Sequence, residues 1–246
     1  IVTWDDHEVQ NDYAGITQGS IGPQADFQKR RGSAYQAYYE HMPLKASCMV
    51  EGLSGLSKGS ELRIYDRYQF GKLASISMLD TRQYRTNQVC TPGEQSGSAY
   101  VFPSSCPELL DESRSLLGTR QEQWLDKELG NSKGQIWNVI AQSTLFGQRI
   151  VNTSGGKPQR VWNDGWDGYP VSRKKILEKV KTANVENFVV IGGDVHEYWV
   201  GYIKDDYANK LSGVLGFEFC GTSITSLNSG NDTASRHKPN PHYVFS

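Results

Sequence analysis

The chain has 246 residues, enough for one domain or two small ones at ~100–200 residues each. Its 26 Lys+Arg against 27 Asp+Glu give a formal net charge of −1, which excludes the polycationic field of a generic nucleic-acid or anionic-membrane binder. No run approaches the ~18–20 apolar residues of a membrane-spanning helix, and 13 Tyr, 8 Phe and 6 Trp supply core bulk that excludes general disorder.

Residues 1–4 (IVTW) read as a buried strand running into the charged turn Asp5-Asp6-His7-Glu8. Residues 23 to about 42 read as a helix, with Phe27, Ala34, Tyr35 and Tyr38 at three- and four-residue steps and Gly32 interrupting. Alternation in LRIYDRYQF and LASISML predicts two antiparallel strands turning at Gly71-Lys72, the second delivering Asp80-Thr81-Arg82. A long loop follows over residues 86–118. Thr119 with Glu122 forms a capping-box pattern for a helix over residues 120–129, stopped by Gly130 and Asn131. Residues 136–141 are an apolar strand delivering Gln142-Ser143-Thr144. A Gly- and Trp-rich loop covers 155–169, and a helix runs from Pro170 to about Thr182. Residues 188–191 form another apolar strand, ending in GGDVHE, and 214–219 form the next; HYVFS at the end also reads as strand.

None of the four cysteines forms a CxxC pair, which argues against a structural zinc knuckle. Cys90 and Cys106 flank a Gly-, Ser- and Pro-rich stretch; paired, they close a 15-residue loop for about 3 kcal/mol, and unpaired, all four are buried thiols. A bridge would place the protein outside the reducing cytosol. The chain opens on Ile1 rather than Met, and both ends are apolar, so the expectation is a single domain over 1–246, cut from a longer protein at both ends.

Alternating helices and apolar strands predict a layered α/β fold. Strand ends running into DDHE, AQST and GGDVHE predict one composite site, because ligands of open α/β sheets bind beyond the carboxyl ends of strands. In GGDVH, Asp194 and His196 can aim a carboxylate and an imidazole into one cavity; alternatively Asp194 caps backbone amides and His196 is merely buried. The adjacent carboxylates of Asp5 and Asp6 repel and gain most from a cation, with His7 placed to protonate a leaving group or bind phosphate; the alternative is a solvated acidic turn. Gln142 offers a neutral amide oxygen, a weak ligand by itself.

The chain resembles the PhoD-type alkaline phosphatases, metallophosphoesterases of the calcineurin-like fold. The matching stretches are TWDDHEVQND (3–12), YQAYYEHMP (35–43), LDTRQYR (79–85), QEQWLDKEL (121–129), WDGYP (166–170), GGDVHEYW (192–199) and GTSITS (221–226), in order over nearly the whole chain. The resemblance implies a metallophosphoesterase-like sandwich of β-sheets flanked by helices. It implies Asp6, Gln142, Asp194 and His196 as metal ligands, Gln142 standing where the wider family has histidine. His7 would act on the phosphate, and Arg82 would either add a bidentate contact to it or hold the loops together by pairing with Asp80 or Asp167. Further ligands, among them a bridging aspartate, a cysteine and a tyrosine, are expected before DDHE, and none of the four cysteines here stands in that position. Trp166, Asp167 and Tyr169 sit in a loop that either lines the cleft or is structural, the structural role being the favoured one, and His41, His237 and His242 take no catalytic role.

The implied activity is hydrolysis of phosphate mono- or diesters by a metal-activated hydroxide, with Fe3+ and Ca2+ as cofactors and a secreted or periplasmic location. Two rivals stand beside it. One is a non-catalytic fragment or phosphate-binding module with an incomplete metal centre; the other is a related phosphodiesterase acting on nucleotides or phospholipids.

Overall fold

The computed structural model describes residues 1–19, 26–94, 96–151, 159–226 and 239–245. The first helix, α1 (Phe27–His41), opens with the Asp26 carboxylate accepting from the Lys29 amide at 3.2 Å. Residues 23–25 of the predicted helix and His237 lie outside the described residues. Gly32 is required inside α1 because a Cβ there would meet the Gly59 amide nitrogen at 2.9 Å. The short α2 (Gly52–Leu56) follows, then β1 (Asp66–Phe70) and β2 (Ala74–Met78), antiparallel as their alternation predicts.

After β2 come β3 (Tyr100–Val101), α3 (Gly118–Gly130), β4 (Trp137–Ala141), β5 (Val161–Trp162), α4 (Pro170–Thr182), β6 (Phe188–Gly192), β7 (Trp199–Lys204), β8 (Val214–Cys220) and β9 (Tyr243–Phe245). Seven strands form one sheet in the order β1-β2-β4-β6-β8-β7-β9; β2, β4, β6 and β8 run parallel, and β1, β7 and β9 are antiparallel to their neighbours. β3 and β5 make a separate antiparallel pair. The α/β class and layered arrangement expected from the sequence are present.

Helices α3 and α4 cover one sheet face. Leu125, Leu129, Ile176, Leu177 and Val180 pack there against Ile140, Phe188, Val190 and Ile203. Each such buried side chain contributes roughly 1.5–3 kcal/mol of transfer free energy. On the opposite face Trp137, Ile191, Phe217 and Phe219 are 41–48% exposed. A second cluster packs the first residues of the chain onto α1, with Trp4 stacked on Tyr35 at 4.4 Å.

Three local expectations are corrected. Residues 1–4 pair with no strand among the described residues; Thr3 Oγ1 instead donates to the Leu79 carbonyl at 3.0 Å, and the Trp4 indole to Asp80 at 3.0 Å. Thr119 does not cap α3. Gly118 already adopts φ 70 at its start, and Ser115 Oγ accepts from the Leu117 and Gly118 amides at 3.1 and 2.7 Å while donating to Glu122 at 2.6 Å. Finally, β7 is a strand that the sequence reading missed. The Cys90–Cys106 disulfide is present, so of the two cysteine alternatives the bridged one holds, while Cys48 and Cys220 are free.

Candidate metal and phosphate site

The parallel strands deliver their following residues to one edge of the sheet. β2 leads into Asp80-Thr81-Arg82, β4 into Gln142-Ser143-Thr144 and β6 into Gly193-Asp194. Polar contacts tie these turns together. Thr81 Oγ1 and Ser143 Oγ lie 2.5 Å apart, the Gly193 amide donates to the Ser143 carbonyl at 3.0 Å, and Thr144 Oγ1 donates to Asp194 Oδ2 at 2.8 Å. Such close approach needs Gly192, where a Cβ would lie 2.0 Å from the Thr144 carbonyl oxygen.

The turn after β6 holds two non-glycine residues in the left-handed region, Asp194 at φ 69 and His196 at φ 57. Such conformations cost of order 1–3 kcal/mol each and persist where surrounding contacts enforce them. Here the Val195 amide donates to the Gly193 carbonyl at 2.8 Å, and Thr222 Oγ1 to the His196 carbonyl at 2.9 Å.

Facing this turn is the one after Trp4. Its tight hydrogen bonding, with the Val9 and Gln10 amides donating to the Asp6 carbonyl and the Asp12 amide to Asp6 Oδ2 at 2.8 Å, buries Asp6 to 3% exposure. Asp5, Asp6 and Asp194 each present a carboxylate oxygen, all within 4.8 Å of one another. Burial pushes the Asp6 carboxyl up, helped by Asp5, against the pull of Arg82. Burial and then Asp5 push Asp194 well above the usual carboxylate range. Three converging carboxylates, two of them buried with raised proton affinity, Asp6 and Asp194, make an oxygen-donor set that a hard cation neutralises. The residues therefore fit a metal of that class.

His7, His196, Asp6 and Asp194 line one cleft of about 320 Å³ together with Arg149. Neither histidine ring comes within 4.8 Å of all three carboxylates, so the tight cluster is made of aspartates alone. Gln142 is not brought into the cleft. Its Oε1 accepts from the Thr144 amide at 3.0 Å and the Trp166 indole at 3.1 Å, its Nε2 donates to the Thr144 carbonyl, and it borders a different cavity beside residues 1–3.

Arg82 is likewise not at the cleft surface. It is 0% exposed, with Nε donating to Asp5 at 2.7 Å and both terminal nitrogens on Asp164 at 3.0 and 2.8 Å. Of the two roles read for it, loop-holding is the one this geometry serves, with Asp5 and Asp164 as partners in place of Asp80 and Asp167. Burial works against the guanidinium charge, but Asp164, Asp5 and Asp6 outweigh it. Burial similarly raises Asp164, and Arg82 with Arg85 overcomes it, holding the carboxyl at about 2. Asp167 pairs with Arg173 at 2.8 Å, Trp166 is core and the Tyr169 hydroxyl donates to the Thr86 carbonyl, so the structural reading of these three holds.

Sequence reasoning missed Arg149. It follows no motif, and only the fold brings it beside DDHE and GGDVH. Its guanidinium lies 5.0 Å from the Trp199 ring centroid and 3.3 Å from Glu197, and its backbone amide donates to Asp167 at 2.7 Å. Asp5 was visible as one of two adjacent carboxylates, but its place in the cluster was not.

The fold is a mixed α/β sheet whose carboxyl edge gathers an acidic cluster, with two histidines and an arginine lining the cleft beside it. The sequence matches the PhoD-like phosphatase family over residues 1–245, and the chain belongs to that family. It is 40% identical over 249 residues to alkaline phosphatase D of Bacillus subtilis (strain 168), covering 100% of this chain and 40% of that protein. A solved structure titled "Structure of PhoD" superposes with a TM-score of 0.83 at 40% identity, covering 100% of this chain and 44% of that one. The chain thus spans less than half the length of these relatives.

Proposed function

We propose that this chain forms the catalytic core of a metal-dependent hydrolase of phosphate mono- or diesters, with residues 1–246 belonging to one catalytic domain. The observation that carries the reading is the convergence of Asp5, Asp6 and Asp194 within 4.8 Å, with Asp6 and Asp194 lining the cleft that His7, His196 and Arg149 also line. Asp6 and Asp194, with Asp5, hold the cation, and His196 joins from the cleft wall. A bound cation offsets phosphoryl charge and lowers the pKa of a coordinated water, which is the chemistry ester hydrolysis needs. Oxygen-rich donors suit calcium, and iron enters on the family resemblance.

The chain's own groups complete the site. Arg149 approaches a phosphoryl oxygen, where a charge-assisted hydrogen bond strengthens as charge develops. His7, exposed and lining the same cleft, delivers a proton to the departing oxygen. Arg82 acts by positioning, fixing Asp5 from behind. The Cys90–Cys106 bridge supports a location outside the reducing cytosol, secreted or periplasmic. No helix among the described residues is long and apolar enough to cross a membrane.

The test is Asp194→Asn and His196→Ala in the metal-loaded chain, assayed on a phosphate monoester and a diester with thermal unfolding as control. Loss of both activities at preserved folding is the expected result. Phosphate binding without hydrolysis in the unmutated chain would favour a phosphate-binding module instead. Activity confined to nucleotides or phospholipids would favour the other phosphodiesterase class.

A further inference from the structure

The cleft has a second wall that the chemistry above does not use. β3 and β5 pair so that Tyr100 stands directly opposite Trp162, their ring centroids 4.7 Å apart at 57°. Both residues line the cleft that holds Asp6 and Asp194. The alternate residues of the two strands, Val101 and Val161, point the other way into a small core with Cys106 and Leu109. The platform is clamped at its base. The Ala99 amide donates to Asn163 Oδ1 at 2.7 Å, the Asn163 amide to the Ala99 carbonyl at 3.0 Å, and Asn163 Nδ2 to the Val89 carbonyl at 2.8 Å.

Arg160 lies with its guanidinium carbon 4.4 Å from the Tyr100 ring centroid, and Tyr100 remains 39% exposed. The two rings pack on each other and Tyr100 on Arg160, while a separate core takes the alternate side chains, so the ring surface they turn to the cleft is not taken up by the core. The polar side chains beside them are engaged with one another, since Asn11 Nδ2 and Ser98 Oγ both donate to Asp12 Oδ2, at 2.7 and 2.5 Å. What the wall offers is aromatic surface.

We propose that Tyr100 and Trp162 form the subsite for the leaving group of the ester, and that it selects a planar aromatic group. The proposal rests on the phosphatase reading for its orientation: the phosphoryl end sits at the aspartates, and the rest of the ester extends along the same cleft to the rings. Stacking of a flat π-system on aromatic side chains needs no hydrogen bonds and loses little entropy, because both partners are rigid. Such contacts, measured for nucleobases, are each worth about five- to 150-fold in affinity.

The experiment compares kcat/KM for phenyl phosphate and ethyl phosphate in the metal-loaded full chain, unmutated and as Trp162→Ala, Tyr100→Ala and Trp162→Phe. The expected result is an aryl-to-alkyl ratio that falls about tenfold in each alanine variant and is largely kept by Trp162→Phe. An equal fall on both esters, or an unchanged ratio, overturns the subsite. Calorimetric titration of phenylphosphonate and methylphosphonate reads the same wall without turnover. Preferential binding of phenylphosphonate, lost in Trp162→Ala, supports the subsite, and equal affinities overturn it. If the unmutated chain hydrolyses neither ester, the phosphatase reading fails, and the phosphonate titration still decides the subsite.

Discussion

Thr144 Oγ1 donates a 2.8 Å hydrogen bond to Asp194 Oδ2, across 50 residues of sequence and between the turns that follow two adjacent parallel strands. This contact aims the Asp194 carboxylate at Asp5 and Asp6. Thr144→Val keeps the shape and removes the donor. Loss of a group that orients a metal ligand typically costs 10–100-fold in metal affinity or activity. Calorimetric metal titration and steady-state kinetics should both move by that order, with stability lower by only about 1 kcal/mol. Unchanged metal affinity would show that the Thr144 contact does not orient a metal-binding Asp194.

Arg82 carries the buried electrostatics behind the site. Asp5 is 2.7 Å from its Nε, Asp164 grips both terminal nitrogens, and Arg85 Nη1 reaches Asp164 at 2.7 Å. Arg82→Met leaves these carboxylates short of a cation, and breaking a buried ion pair from one side costs about 3–5 kcal/mol. Urea unfolding should show that loss. Combining it with Asp164→Asn should cost less than the sum of the two, and full additivity would show that the residues do not act as a unit.

Glu218 is buried on β8. The Phe146 and Gly147 amides donate to it at 2.5 and 2.8 Å and the Tyr243 hydroxyl at 3.2 Å, yet burial outweighs them and raises its carboxyl to about 7. The folded chain therefore binds this proton more tightly than the unfolded chain, whose carboxyl titrates near 4.3. The contribution is fully present below that value and is lost as pH rises through about 7. Glu218→Gln should flatten the fall of melting temperature between pH 4.5 and 7 relative to the unmutated chain. Parallel curves for the two proteins would refute the assignment.

The Cys90–Cys106 bridge, at a separation of 16 residues, encloses β3 and joins the core beneath the Tyr100 ring. Closing a loop of this size is worth about 3 kcal/mol on the chain-entropy model. Reduction, or Cys90→Ala with Cys106→Ala, should lower unfolding free energy by that order. A change below about 0.5 kcal/mol would show that the loop is held by its other contacts.

Much of the fold was readable because periodicity is local. The apolar spacing of α4, the alternation of β1 and β2 and the unbroken apolar run of β6 each mark an element without reference to any other. β7 escaped because its inward positions are Trp199, Gly201 and Ile203. A glycine there hides the alternation, and its reason lies elsewhere in the chain: a Cβ at 201 would meet the Tyr243 ring at 2.5 Å.

The sequence by itself marked GGDVH as the end of an apolar parallel strand and DDHE as an acidic turn. That the two turns meet was decided by the tertiary structure, since residues 1–4 pair with no strand among the described residues and are held instead by Leu79 and Asp80. Tertiary structure alone decided which side chains face the cleft. Gln142 leads from the right strand but spends its amide on Thr144 and Trp166, and Arg82 is locked between Asp5 and Asp164. Arg149, Tyr100 and Trp162 come to the cleft from segments without a motif. The physical reason is that a side chain's direction in a turn depends on the partners that satisfy its polar groups, and among them Trp166 for Gln142 and Asp5 and Asp164 for Arg82 lie tens of residues away.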